Sequence, residues 1–308
     1  MTFPPFYDAA KVGTLYVPRT GAASEAGLQA GMRPAEEDGR RTLLILVDEQ
    51  VDFIHTDGAL CVPGAVDDTR RLIEWLFRNL GKVTHIAASL DTHYPVQIFF
   101  PTWWVDAEGR HPAPFTLITA QDVDAGRWRP VFEVEWSKQY VHRLEEQAKK
   151  VLTIWPYHTL MGTPGHAITP ALYEAIAYHA AARSTEPTFL AKGSIRKTEH
   201  YSILEPEVKV PEERGGTLNE DFIGMVAAYD RVYIAGQAKS HCVLETLASL
   251  VKAFSQRDPA QIGKWYVLTD CMSSVVHPEV DFEAIAAERF KEFAQQGVHL
   301  VTSEEEVD

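Results

Sequence analysis

The most restrictive feature of this chain is a run of five apolar residues, Leu43–Val47, that ends on an aspartate, Asp48. A short, wholly apolar run without alternation predicts a strand covered on both faces, as in a parallel sheet packed between helices. The pattern recurs. Similar runs lie at His85–Ser89, Thr188–Ala191, Val232–Ala235, Trp265–Leu268 and Val298–Val301. Helical periodicity separates them near 65–80, 168–183, 217–229, 242–256 and 281–296; in the first, Leu72, Ile73, Leu76, Phe77 and Leu80 share one face. Strand alternating with helix predicts an α/β domain of three layers, with a mostly parallel sheet in the middle. Two segments break the rhythm. Residues 1–40 read as an irregular extension, an arm or partner contact, before a domain spanning 41–308. Residues 94–157, rich in Pro, Trp and charge and with at most one helix near 137–150, read as an insertion serving as a lid or an interface.

Composition narrows the function. The net charge of −14 over 308 residues argues against binding nucleic acid or an anionic membrane. No apolar run approaches the roughly 18 residues of a membrane span. The three cysteines, Cys61, Cys242 and Cys271, are widely spaced and form no CxxC pair, which excludes a disulfide framework and suits a reducing compartment. With no basic stretch and apolar run at the start, the expected location is the cytoplasm.

Ligands of an open α/β sheet bind beyond the C-terminal ends of its strands. The residues there are Asp48, then Asp91 with His93, then Lys192, then Cys242 in the loop Gly236–Cys242, then Asp270. A thiol becomes a nucleophile when a helix N-terminus, a lysine or a proton acceptor favours the thiolate. Asp48 could take that proton, deliver it to a departing amine and later activate water. Main-chain N–H groups of Ala238–Cys242 could hold an oxyanion. Asp91 and His93, with His158 as a third ligand, suit Zn²⁺, Mn²⁺ or Fe²⁺. Each residue also has a plainer role open to it. Cys242 could be a small buried hydrophobe, as Cys61 and Cys271 are expected to be. Lys192 could cap a strand in solvent, and Asp91 and His93 could close a hydrogen-bonded turn. Asp52 and Asp270 are expected to order the turns after their strands.

The motifs resemble those of the isochorismatase-like cysteine hydrolases, nicotinamidases in particular. Val47–Phe53 (VDEQVDF) is similar to the family's DxQxDF, and Asp57–Ala65 (DGALCVPGA) to its GGAL-x-VPGA segment. Asp91-Thr92-His93 matches its metal-binding DxH, Trp155–His158 its WPxH, and Ala191-Lys192-Gly193 its lysine motif. Gly236–Val243 (GQAKSHCV), with Thr246, resembles its nucleophile loop. The resemblance runs in order from about 42 to 301. It implies a six-stranded sheet of order 3-2-1-4-5-6 and a catalytic triad of Asp48, Lys192 and Cys242. It implies an oxyanion hole at Ala238 and Cys242, preceded by a cis Gln237–Ala238 peptide. It further implies a divalent metal, zinc above manganese or iron, on Asp91, His93 and His158, and a homo-oligomer. The implied substrate is a small amide such as nicotinamide, packed by Phe53 and Trp155. Three stretches differ from the family pattern. Lys239-Ser240-His241 replaces Thr-Asp/Glu-Tyr, Glu199–Leu204 (EHYSIL) replaces DSYSAF, and Thr159 replaces Cys. All border the pocket, so the chemistry is better specified than the substrate. The rival readings are hydrolysis of another amide, an N-carbamoyl compound or isochorismate, and a non-catalytic binding protein on this scaffold.

Overall fold

The computed structural model describes residues 3–305 and 307. Its main sheet has six parallel strands: β1 (Thr42–Val47), β2 (His85–Asp91), β3 (Thr188–Lys192), β4 (Arg231–Gly236), β5 (Trp265–Leu268) and β6 (His299–Val301). Their spatial order is β3-β2-β1-β4-β5-β6, the order the resemblance implies. The chain leaves β1 toward β2 on one side and passes from β4 toward β5 on the other. The mouth of the sheet between β1 and β4 is therefore its switch point, where a crevice opens.

β1 is buried along its whole length and divides the core in two. Leu43, Ile45 and Val47 face one side, against Phe222, Leu247, Leu250, Phe254 and Phe293. These come from the helices Glu220–Ala227, Leu244–Arg257 and Phe282–Gln295. Leu44 and Leu46 face the other side, against Leu72, Ile73, Leu76, Leu172 and Ile176 of the helices Ala65–Arg78 and Pro170–Arg183. A pleated strand alternates its side chains, so an unbroken apolar run is what two covered faces require.

The first 40 residues are more regular than the sequence predicts. They include a helix, Thr20–Gln29, packed on Pro170–Arg183. Its buried residues are Ala23 and Gly27, and a Cβ on Gly27 would stand 2.5 Å from the Tyr178 carbonyl oxygen. Contact through such small residues leaves no apolar stripe to read. The Arg19 guanidinium secures the entry to this helix on the buried Glu174 carboxylate, 3.1 Å away.

The 94–157 segment forms a third core, rich in aromatics. Phe99, Phe100, Trp103, Trp104, Tyr140 and Ile154 are fully buried in it. It holds more helix than the single one expected near 137–150: a 3-10 turn, Pro101–Trp103, a one-turn helix, Ala120–Asp124, and the helix Val134–Arg143 with a wider turn, Leu144–Ala148, at its end, beside two-residue strand pairs. No helix among the described residues is long and apolar enough to cross a membrane.

Candidate active site

Four strand ends deliver the site. Asp48 follows β1 with φ +47°, a left-handed conformation that Asp tolerates better than most residues. Its Oδ1 accepts a 2.5 Å hydrogen bond from Ser89 on β2. Lys192 closes β3, and its ammonium lies 2.8 Å from Asp48 Oδ2, 2.9 Å from Asp91 Oδ1 and 3.6 Å from Cys242 Sγ. It also donates to the His200 carbonyl at 3.0 Å. Cys242 sits in a wide turn, Lys239–Val243, that leads into the helix Leu244–Arg257. The Gln237–Ala238 peptide is cis. Gly236 lets β4 end this close to β1: its φ is +125°, and a Cβ there would stand 2.1 Å from the Val47 carbonyl oxygen. All three side chains are buried, with Cys242 only 6% exposed.

One ammonium between two buried carboxylates sets the electrostatics. Burial works against ionising Asp91, but His93, when protonated, and Lys192 outweigh it and hold its carboxyl well below the usual range. Burial raises the Asp48 pKa despite Lys192, and Asp91 adds to the rise. Burial also opposes the charge on Lys192, yet Asp48 and Asp91 hold the ammonium well above the ordinary lysine range. The Cys242 thiol is pushed up by burial, with Lys192 pulling the other way. At rest the site holds a neutral thiol, an ammonium and an ionised Asp91. Burial thus raises the proton affinity of Asp48, which suits a group that shuttles protons.

On the far side of Lys192, the ligand atoms of Asp91, His93 and His158 all lie within 4.8 Å of one another. Each imidazole places Nδ1 on a carbonyl, His93 on Gly193 at 3.0 Å and His158 on Pro156 at 2.8 Å. The Nδ1 protons follow, which leaves both Nε2 lone pairs facing Asp91 Oδ2, at 2.7 and 3.6 Å. His93 Nε2 is buried with no assigned hydrogen bond, and the atom it faces is the Asp91 carboxylate oxygen 2.7 Å away. An orphaned imidazole lone pair facing a carboxylate and a second imidazole fits a divalent cation. Gly193 makes room: a Cβ on it, at φ +82°, would stand 2.5 Å from Asp91 Oδ1.

The structure thus brings together Asp48, Lys192, Cys242, Asp91, His93 and His158. Phe53 is buried beside them, its ring 5.5 Å from that of His158. Trp155 packs 5.3 Å from the ring of His241, and its indole N–H donates to Tyr201 Oη at 3.1 Å. The Ala238 N–H has no acceptor among the described residues. Asp52 orders a turn, as expected: its carboxylate accepts from the N–H groups of Ala59 and Thr159. Asp270 does the same for Ser303. Cys271 is a buried thiol outside any disulfide, as expected, whereas Cys61, also free, is only partly buried because it lies in a surface turn.

Three residues of the site have no role assigned from sequence. Gln50 clamps the Asp91 main chain from both sides, taking its N–H at 2.7 Å and donating to its carbonyl at 2.8 Å. Ser89 orients Asp48; its one signal was a polar residue ending an apolar strand. His200 is the third. Its only signal was a departure from the family pattern.

No protein-family model matches the chain, and no curated protein does. Solved structures do. A nicotinamidase and pyrazinamidase of Acinetobacter baumanii superposes with a TM-score of 0.56 at 18% identity, over 87% of this chain and 98% of that one. The yeast nicotinamidase bound to the inhibitor nicotinaldehyde gives 0.56 at 16% identity, over 85% and 99%. PnC1 from L. infantum in complex with nicotinate gives 0.51 at 18%, over 86% and 94%. The chain shares the fold of these proteins, the isochorismatase-like hydrolase fold that the motifs resemble.

Proposed function

We propose that the protein is a cysteine amidohydrolase that cleaves a small carboxamide through a thioester, with nicotinamide as the first substrate to test. One observation carries this reading: a single buried ammonium, Lys192, within 3.6 Å of a thiol, a proton-accepting carboxylate and the carboxylate of a metal-type cluster. The fold supports it, and two proteins that share the fold hold a pyridine-3-carbonyl compound.

Cys242 Sγ attacks the amide carbon while its proton passes to Asp48. Lys192 stabilises the thiolate character that builds on sulfur. Main-chain N–H groups of Ala238 and Cys242 receive the developing oxyanion. Asp48 then protonates the amide nitrogen, the C–N bond breaks and ammonia leaves an acyl-thioester. Asp48 next takes a proton from water, whose oxygen attacks the thioester. The C–S bond breaks, the proton returns to sulfur, and the carboxylic acid departs. Asp91, His93 and His158 would hold a divalent metal, with zinc the expected ion. When bound, it supplies a Lewis acid that orients a polar atom of the substrate. The side chains of Phe53 and Trp155 exclude water from the acyl group.

The test is ammonia release from nicotinamide and a panel of other small amides by wild type and Cys242→Ala. Turnover by wild type with a thioester-sized mass increment on Cys242 is the expected result. Equal turnover by Cys242→Ala overturns the reading.

A further inference from the structure

Tyr201 belongs to two neighbourhoods. Its hydroxyl accepts from Trp155, and its ring meets that of His241 at 5.2 Å, beside the reacting groups. The Lys150 ammonium stands over the same ring, 5.3 Å from its centroid. Lys150 lines a cavity of about 630 Å³ that includes none of the residues assigned to catalysis or to the metal-type cluster. Small-molecule sites span about 300–1,000 Å³. The walls come from the end of the insertion at 143–150, the loop 202–211, the helix Leu244–Arg257 and Arg289.

The charges of this cavity are sorted. The Lys150 ammonium, 27% exposed, lies between two carboxylates, Glu207 at 2.5 Å and Glu245 at 2.8 Å. Burial raises the Glu207 carboxyl to about 7 although Lys150 opposes it, so the two acids together carry less than their full charge at neutral pH. Elsewhere on the walls cations outnumber acids. Glu205 is shared by Lys209 at 3.0 Å and Lys252 at 3.7 Å. Arg143 forms no ion pair among the described residues; it reaches Gln139 Oε1 at 3.5 Å and stacks over Trp136. Arg289 answers Glu292. Lys209, Lys252 and Arg289 all present their charged ends to solvent. The chain as a whole carries −14, so composition does not account for a hollow with surplus cations. A concave surface of one sign concentrates ions of the other.

We propose that this cavity is a second ligand site, which takes a small anion bearing a phosphate group on Arg143 and Lys252. These are its two least compensated cations, and they stand on different elements. A group with more than one negative charge serves both at once, which a single carboxylate does less well. A guanidinium pairs with two phosphate oxygens in its own plane, and an ammonium adds a point charge. Ala148, Val208 and Ala248 line the same cavity and leave apolar wall for an organic body. The occupant bridges the insertion, through Arg143, to the helix into which Cys242 leads, through Lys252. The site stands apart from the amidohydrolase reading and does not depend on it.

The test is titration calorimetry of the full chain with inorganic phosphate, pyrophosphate and adenosine 5′-monophosphate, and with acetate as the singly charged comparison. Wild type binds at least one of the phosphates with a Kd of about 1 mM or below, and acetate at least about tenfold more weakly. Replacing Arg143→Gln and Lys252→Gln together weakens that phosphate at least about tenfold, the scale of losing a charge-assisted hydrogen bond. Arg40→Gln, an exposed cation outside the cavity, changes it by less than about twofold. Tighter binding of the nucleotide than of pyrophosphate assigns an organic phosphate ester, and the reverse order assigns an inorganic one. Thermal unfolding checks the double variant, and Lys252→Gln alone, at a side chain 68% exposed, serves if the double variant does not fold. Absence of binding by all three phosphates, equal binding of acetate, an affinity untouched by the cavity substitutions or an equal loss in Arg40→Gln overturns the inference. None of these results bears on ammonia release, so the amidohydrolase reading is tested separately.

Discussion

The sheet and the 94–157 insertion solve the burial problem in opposite ways. The sheet buries aliphatic side chains in regular alternation, Leu43, Ile45 and Val47 on one face and Leu44 and Leu46 on the other. Its backbone is satisfied by strand pairing. The insertion buries Trp103, Trp104, Phe99, Phe100 and Tyr140 and has almost no ladder. Its polar groups are met one at a time: the Trp103 indole N–H donates to Ser137 Oγ at 2.9 Å, and that of Trp104 to the Ile98 carbonyl at 2.6 Å. The Tyr140 hydroxyl accepts from the Glu199 N–H at 3.1 Å, joining the insertion to the site. Regular structure places reactive groups reproducibly at strand ends, whereas the irregular aromatic segment packs as its own core and delivers His158 just after its last residues. The comparison separates two kinds of mutational effect, on chemistry and on stability.

The largest effect belongs to the strand ends. Cys242→Ala removes the proposed nucleophile and should lower kcat by at least about 10⁴-fold, the scale of losing one member of a catalytic unit. Its denaturant midpoint should stay close to wild type; a large fall in stability would erase the distinction between chemistry and scaffold. Next comes the junction between the regions. His93→Ala should lose metal, measured by elemental analysis of dialysed protein. The fall in affinity exceeds the about 10–100-fold typical of an outer-shell partner. Full metal retention would remove the cluster from the argument. Within the insertion, Trp103→Ala opens a void in the aromatic core and costs about 3–5 kcal/mol locally. Limited proteolysis should then cut inside 94–157 before it cuts the sheet, and uniform digestion would mean that the two cores unfold as one.

The smallest effect concerns a buried acid beneath the strand ends. Burial raises the pKa of Glu49 to about 8, and its Oε2 accepts a 2.7 Å hydrogen bond from Thr69. Unfolded, Glu49 loses its proton near 4.5, whereas folded it keeps it to about 8. The folded state binds more protons across that window, so its stability falls as pH rises from about 4.5 to 8. Glu49→Gln should flatten this decline in urea melts. An unchanged slope would show that other groups set it.

The same contrast explains what was legible in the sequence. The strands and the order in which they carry Asp48, Asp91, Lys192 and Cys242 could be read, because unbroken apolar runs ending on polar residues have few other uses. The helix Thr20–Gln29 could not, since Ala23 and Gly27 pack by being small and leave no periodic signal. The insertion was legible as a break in the rhythm with a helix near 137–150, but its aromatic core was not, because bonds from indole to hydroxyl or carbonyl follow no period. Gln50 lay in a recognised motif, yet its grip on the Asp91 backbone depends on two strands meeting. His200 was visible only as a mismatch. Its burial and its unpaired nitrogen exist only in three dimensions.

Asp91 gives one oxygen to Lys192 and the other to the two imidazoles. That division couples two equilibria. In the proposed mechanism, a cation held at His93 and His158 would draw on the carboxylate's charge, leave the ammonium less compensated and favour the thiolate. Formation of the thiolate, in turn, satisfies Lys192 and frees Asp91 for the cation. By reciprocity of linked binding, the factor by which the cation favours thiol ionisation equals the factor by which ionisation tightens the cation. The coupling between cation affinity and thiol acidity would therefore be one quantity, measurable from either end.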